Sequence, residues 1–377
     1  MNSRERVLSA YERKGYDRIP IKHEGTPEIN RMLIDHFGLR NMKQLLKVLG
    51  DDFRYVEARY IGPELKKFDD GSFEGYWGER YAYLQFGSGK YMESVYKPYA
   101  GVSELAKLDR SHFPSADWFD YSTIKDQCEA LREEYAVCYG GPGDFDFINS
   151  ISRARGMEEV LMDLIDDNEV LNELLEARFN FYYEMHRRAL EAADGLIDFV
   201  HIGEDLGNQL GPMINSELFE KYFAPRYMKY MKMAHGYGAR VMMHMCGTVD
   251  SFLPRLIEIG LDVQDVVQPT TPGMDIGNLK YRFGDRLVFQ GSLNVQGEIA
   301  FGSPADVRKE VRRRMDLFPK GGLFLGPSHA IQPGSPLENI LAIYDEAGST
   351  VKDIGESVLG LEDEENDVNK VNLAKLF

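Results

Sequence analysis

The chain has 377 residues, 43% of them hydrophobic and 28% charged, enough for one large α/β domain or two smaller ones around a sizeable core. Its 44 Lys+Arg against 61 Asp+Glu leave a net charge of −17, which argues against a nucleic-acid backbone as partner. No apolar run approaches membrane-spanning length, and the opening MNSRERVLSAYERKG is too charged for a signal peptide, so the expectation is a cytoplasmic protein without a membrane partner.

In chain order, residues 3–14 read as a helix, Arg18–Glu24 (RIPIKHE) as a first strand, 28–49 as one or two helices and Phe53–Ala58 as another strand. Between Glu64 and Ala100 glycines punctuate aromatic, alternating stretches such as Tyr81–Phe86, the pattern of an antiparallel hairpin excursion. Beyond Pro114 strands and helices alternate. Strands are predicted at Tyr135–Tyr139, Ile197–Ile202, 240–246, 262–267, 287–291 and 322–326. Helices are predicted at 122–134, 157–166, 168–193, 216–236, 250–259, 274–283, 304–317 and 336–354. Such alternation implies a parallel sheet with short loops, and its closed form is a single (β/α)8 TIM barrel over residues 1–360 with a 64–100 hairpin insertion. Residues 361–377 read as an acidic C-terminal tail.

The run Arg240–Val249 (RVMMHMCGTV) is the centre of interest. Side chains two apart on a strand share a face, so His244 and Cys246 point the same way, about 7 Å apart along the backbone. An imidazole and a thiol at a strand end, where Gly247 opens the loop, supply two ligands of a zinc site; alone they read equally well as a core histidine and a small buried hydrophobe. Other reactive side chains gather at the predicted strand ends: His23 and Glu24, Tyr139, Glu204 and Asp205, Gln268, Gln290 and Asn294, Ser328 and His329. In a barrel this end carries function. His329 is the first candidate for a third ligand, because the last strands lie across the mouth from the 240s strand. Glu204 is the next; Cys128 and Cys138 sit on a helix and in mid-strand. Three cysteines at unrelated spacings indicate no disulfide framework.

RERVLSAYERKGYDRIPI at the start, HMCG in the middle, VFQGSLN later and GPSHAIQPGSPLENI near the end make the chain resemble the uroporphyrinogen decarboxylase superfamily. The resemblance implies a single eight-fold α/β barrel. It also divides the expected activities between metal-free decarboxylases and zinc methyltransferases that work with corrinoid (cobalamin-type) proteins. The decarboxylases carry an arginine-rich segment after the first strand that grips substrate carboxylates, where this chain has Lys22 and His23. The methyltransferases carry a His-x-Cys-Gly zinc motif, matched by His244, Cys246 and Gly247. Their third ligand, a cysteine before a Pro-Leu-Glu-Asn helix start, falls here on His329.

The expected set is therefore His244, Cys246 and His329 as ligands of Zn2+, with Glu204, Asp205, His23 and Asn294 in catalytic roles and Tyr139 and Gln290 toward a cofactor. Glu204 is expected beside the metal, as a ligand or as an acid–base group. The Asp-x-His-x-x-Gly loop that holds cobalt in many corrinoid proteins is absent, so the cobalamin is expected on a partner corrinoid protein, with a small methylated substrate such as an aryl methyl ether. A metal-free decarboxylase, a methylcobamide:thiol methyltransferase and a zinc-binding protein without catalysis are the alternatives. The oligomeric state, a homodimer included, is left open.

Overall fold

The computed structural model describes residues 1–86 and 89–361. Seven parallel strands form its central sheet: Phe53–Val56, Ala136–Phe145, Phe199–Gly203, Arg240–His244, Val263–Val267, Val288–Leu293 and Leu323–Pro327. Each is bonded to the next in chain order. The two edges curl toward the extended segment around Ile21. Leu325 N donates to Pro20 O at 2.8 Å, Lys22 N to Leu325 O at 3.0 Å, and Asp52 N to Ile21 O at 3.0 Å. That segment bridges the last strand and the first and gives a TIM-barrel-like α/β fold. Pro20 has no N–H to donate, and the expected Arg18–Glu24 strand is reduced to bridges at Ile21 and Gly25.

The barrel interior is a packed core at one end. Phe53, Cys138, Phe199, Met242, Val263 and Phe324 form a buried cluster, and Val7 and Ala10 of the helix Ser3–Tyr11 plug it from the N-terminal side. One level toward the C-terminal ends of the strands, the inward positions turn polar: Tyr55, His201, His244, Asp265 and Gln290. Helices pack outside, where a larger apolar cluster joins them to the sheet.

Two elements differ from the pattern read in the sequence. The Ala136 strand does not stop at the glycine turn but runs to Phe145, with a register shift between Gly140 and Phe145. It feeds directly into an unforeseen helix, Phe147–Arg155. The expected 216–236 helix carries a π turn at Phe219–Phe223, just before Pro225, whose missing N–H removes a regular helical bond.

The aromatic excursion is an antiparallel sheet of Phe73–Glu74, Arg80–Phe86 and Gly89–Tyr96. It leans on the body through Ser94, whose hydroxyl donates to Arg153 O, and through Lys90 N, which donates to Glu28 Oε1 at 3.4 Å. Among the described residues, no helix is long and apolar enough to cross a membrane. The acidic stretch after Leu361 lies outside the described residues.

Candidate metal centre

His244 ends its strand pointing inward, one level above Met242 of the barrel core. The chain then turns at Gly247, whose φ of 75° is a left-handed conformation that glycine adopts freely. Any side chain there would meet Asn208 O at 2.7 Å, so the turn is pressed against the 207–208 backbone. Gly247 N donates to Gln268 Oε1 at 3.1 Å and Thr248 N to Asn208 O at 2.9 Å, which fixes the loop carrying Cys246. From across the mouth comes His329, just beyond the last strand, its ring edge-on to His244 at 5.9 Å between centroids. Donor atoms of His244, Cys246 and His329 all lie within 4.8 Å of one another, and all three residues are partly exposed.

Beneath them lies Asp265, fully buried in mid-strand. Its Oδ2 accepts from His244 Nδ1 at 3.2 Å and His201 Nε2 at 3.0 Å; its Oδ1 accepts from Lys22 Nζ at 3.1 Å and, with the Gln290 amide turned to donate, from Gln290 as well. Tyr55 shares a hydrogen bond with His201 Nδ1 at 2.9 Å. Burial opposes the charge of Asp265, but Lys22 and the two imidazoles outweigh it and hold the carboxyl well below the usual range. Burial likewise opposes the Lys22 charge, and Asp265 and Glu24 more than restore it. Burial lowers His201 and, with the nearby His244 charge, His329. His244 moves the other way: burial works against its proton, yet Asp265 and Cys246 raise its pKa well above the ordinary value. Burial also pushes the Cys246 thiol up, against the pull of His244.

This donor set fits zinc. Two imidazoles and one thiol, with solvent access for a fourth group, are the chemistry of a three-ligand catalytic site. A carboxylate on the far nitrogen of one histidine is the usual outer support.

The sequence profile of the uroporphyrinogen decarboxylase (URO-D) family matches residues 97–349, more than half of the chain. The chain belongs to this family. The match takes in HMCG, VFQGSLN and GPSHAIQPGSPLENI, while the N-terminal resemblance lies before it. Among solved structures, a methyltransferase from Methanosarcina mazei is similar at 15% identity and a TM-score of 0.61, over 92% of this chain and 98% of that one; the likeness is one of fold. A 3-keto-D-glucoside 4-epimerase from E. coli (11% identity, 61% of this chain and 86% of that one) reaches a TM-score of 0.36. No curated protein matches the chain.

On this URO-D barrel the other expected site residues fall on two sides. Asp205 faces the ligands: the Cys246 thiol donates to its Oδ1 at 3.5 Å, and Asn149 Nδ2 donates to its Oδ2. Glu204 turns the opposite way, a correction to its expected place beside the metal. Its Oε2 accepts from Phe147 N at 3.0 Å and Tyr227 Oη at 2.7 Å, and its Oε1 from Ile148 N at 3.0 Å, so it caps the Phe147–Arg155 helix. Burial and the adjacent Asp146 push its pKa well up. His23 also points outward, its ring nitrogens bonded to Tyr344 Oη at 2.5 Å and Asn30 Oδ1 at 2.9 Å. Tyr139 packs edge-on against His186, 5.0 Å away, on the helix side of the sheet. Gln290 lies below the mouth, against Asp265, and Asn294 closes its own turn by accepting from Gln296 N at 3.0 Å.

Sequence reasoning missed Lys22, Tyr55, His201 and Asp265. A signal existed: His201 and Asp265 are titratable residues in the middle of predominantly apolar strands, FVHIG and VQDVV. Such residues are buried only with partners.

Proposed function

We propose that this chain is a zinc-dependent methyltransferase that moves a methyl group from a small methylated donor, such as an aryl methyl ether, to the Co(I) corrinoid of a partner protein. The observation that carries the reading is the convergence of His244, Cys246 and His329 at the barrel mouth. Held by one thiolate and two neutral imidazoles, zinc would keep a net positive charge and serve as a Lewis acid toward an ether or hydroxyl oxygen. The protein's own contributions follow from the geometry. Asp205 is placed to receive the proton of Cys246 as the thiol ionises to bind metal. The fixed Gly247 turn and the packed floor of the barrel hold the ligands at the open end. The family match and a methyltransferase of similar fold support the class of reaction.

The test joins metal analysis of the purified protein to a screen of methylated donors against reduced cobalamin. About one zinc per chain is expected. Cys246→Ala should lose it with secondary structure intact, His329→Ala should bind it far more weakly, and an O-methyl donor should be demethylated. A fully zinc-loaded Cys246→Ala would sink the ligand assignment. A zinc-free parent that decarboxylates a porphyrin-type substrate would establish the metal-free alternative, and methyl transfer only onto thiols would establish the thiol methyltransferase.

A further inference from the structure

Two groups of metal-capable side chains overlap at His244. His244, Cys246 and His329 lie at the mouth; His201, His244 and Asp265 lie beneath, again with donor atoms within 4.8 Å of one another. Resting on the metal reading above, we propose that the lower group is not a second metal site but the support of the upper one, with Asp265 the positioning residue that fixes His244 for zinc.

The hydrogen-bond inventory decides between the two groups. An ionised carboxylate only accepts, so both nitrogens that face Asp265 Oδ2, His244 Nδ1 and His201 Nε2, carry hydrogen. With Nδ1 held on Asp265, His244 presents Nε2 as the nitrogen for a metal shared with Cys246 and His329. His201 has no lone pair to spare: with Nε2 donating, its Nδ1 accepts from the Tyr55 hydroxyl. Asp265 is equally full, since Oδ1 already takes Lys22 and Gln290. Lys22 is 4% exposed and supplies the positive charge a second metal would bring; a dication added beside it would face like-charge repulsion in a buried site. The upper group keeps a thiol and imidazole nitrogens with solvent access. Three strands and the extended segment around Ile21 thus converge on one carboxylate, which touches the metal ligands through the His244 ring.

The experiment compares parent, Asp265→Asn and Asp265→Glu, all as full chains. Asparagine offers one acceptor oxygen where two imidazoles and an ammonium compete, so zinc affinity measured by chelator competition should fall about 10–100-fold. With cobalt(II) in place of zinc, the visible ligand-field bands should shift while the thiolate charge-transfer band of Cys246 persists. Asp265→Glu, which keeps the charge, should recover part of the affinity. Unchanged affinity and spectrum in a folded Asp265→Asn overturn the proposal and leave the metal reading standing; a parent that takes up no metal overturns both. If Asp265→Asn does not fold, nitrogen-15 imidazole spectra of the zinc-loaded parent decide. A protonated Nδ1 and a metal-bound Nε2 on His244 support the assignment. Metal on Nδ1, or a second tight equivalent of zinc, overturns it.

Discussion

Glu204 offers the sharpest test of how the strand ends are used. Its carboxyl is 1% exposed and is the hydrogen-bond acceptor for Phe147 N and Ile148 N, because the helix cap Asp146 serves Asn149 N instead. Glu204→Ala strands those two donors and the Tyr227 hydroxyl, and opens a void. Buried donors left unpaired cost about 1–3 kcal/mol each, and partial entry of water holds the sum to about 3–5 kcal/mol. At the 2 °C per kcal/mol typical of larger domains, the melting temperature should drop by about 6–10 °C. Glu204→Gln is milder. Burial already pushes the carboxyl toward its neutral form, and the amide keeps one accepting oxygen, so a loss of about 1–2 kcal/mol is expected. In both variants zinc content and chelator affinity should match the parent, because Glu204 faces the helix and Asp205 faces Cys246. Thermal unfolding followed by circular dichroism, paired with metal analysis on the same samples, checks the claim. A Glu204→Gln protein of unchanged melting temperature that has lost zinc or methyl transfer would refute the reasoning and return Glu204 to the chemistry.

Two other predictions follow from local geometry. Gly247→Ala must hold a left-handed backbone, at about 1–2 kcal/mol, and push against the 207–208 backbone. It should weaken zinc at least tenfold by moving Cys246, whereas Gly101→Ala, strained alike but in open space, should leave zinc untouched; equal affinities in the two variants would contradict this. Asp51 is pushed up to about 6 by burial, against the pull of Arg54 and the amides of His23 and Phe53. An acid raised this way contributes stability that is whole below its unfolded pKa of about 4 and is lost as pH rises through 6. Asp51→Asn, which does not titrate, should therefore lose about 2–3 kcal/mol less than the parent between pH 4 and 7, and parallel pH–stability curves would rule this out.

The barrel and the shared face of His244 and Cys246 were legible in local pattern. Strand–helix alternation needs only the periods of apolar residues, and His244 and Cys246 share a face because a strand repeats every two residues. His329 could be placed from its position beyond the last strand, opposite the 240s strand. What the chain could not reveal was phase at the strand ends. In the adjacent pairs Lys22/His23 and Cys138/Tyr139 the residue singled out turned outward while its neighbour faced the interior, and of Glu204 and Asp205, both expected in catalytic roles, Asp205 faces Cys246 while Glu204 turns to the helix. Once a strand leaves its ladder for a loop, alternation no longer dictates direction; the helix or strand packed alongside does. The Phe147–Arg155 helix, unseen in the sequence, claims Glu204 through bare backbone donors. Asp265 shows the same limit from within. Its partners Lys22, His201 and His244 lie 243, 64 and 21 residues away, and only closure of the ring brings their charges onto one carboxylate.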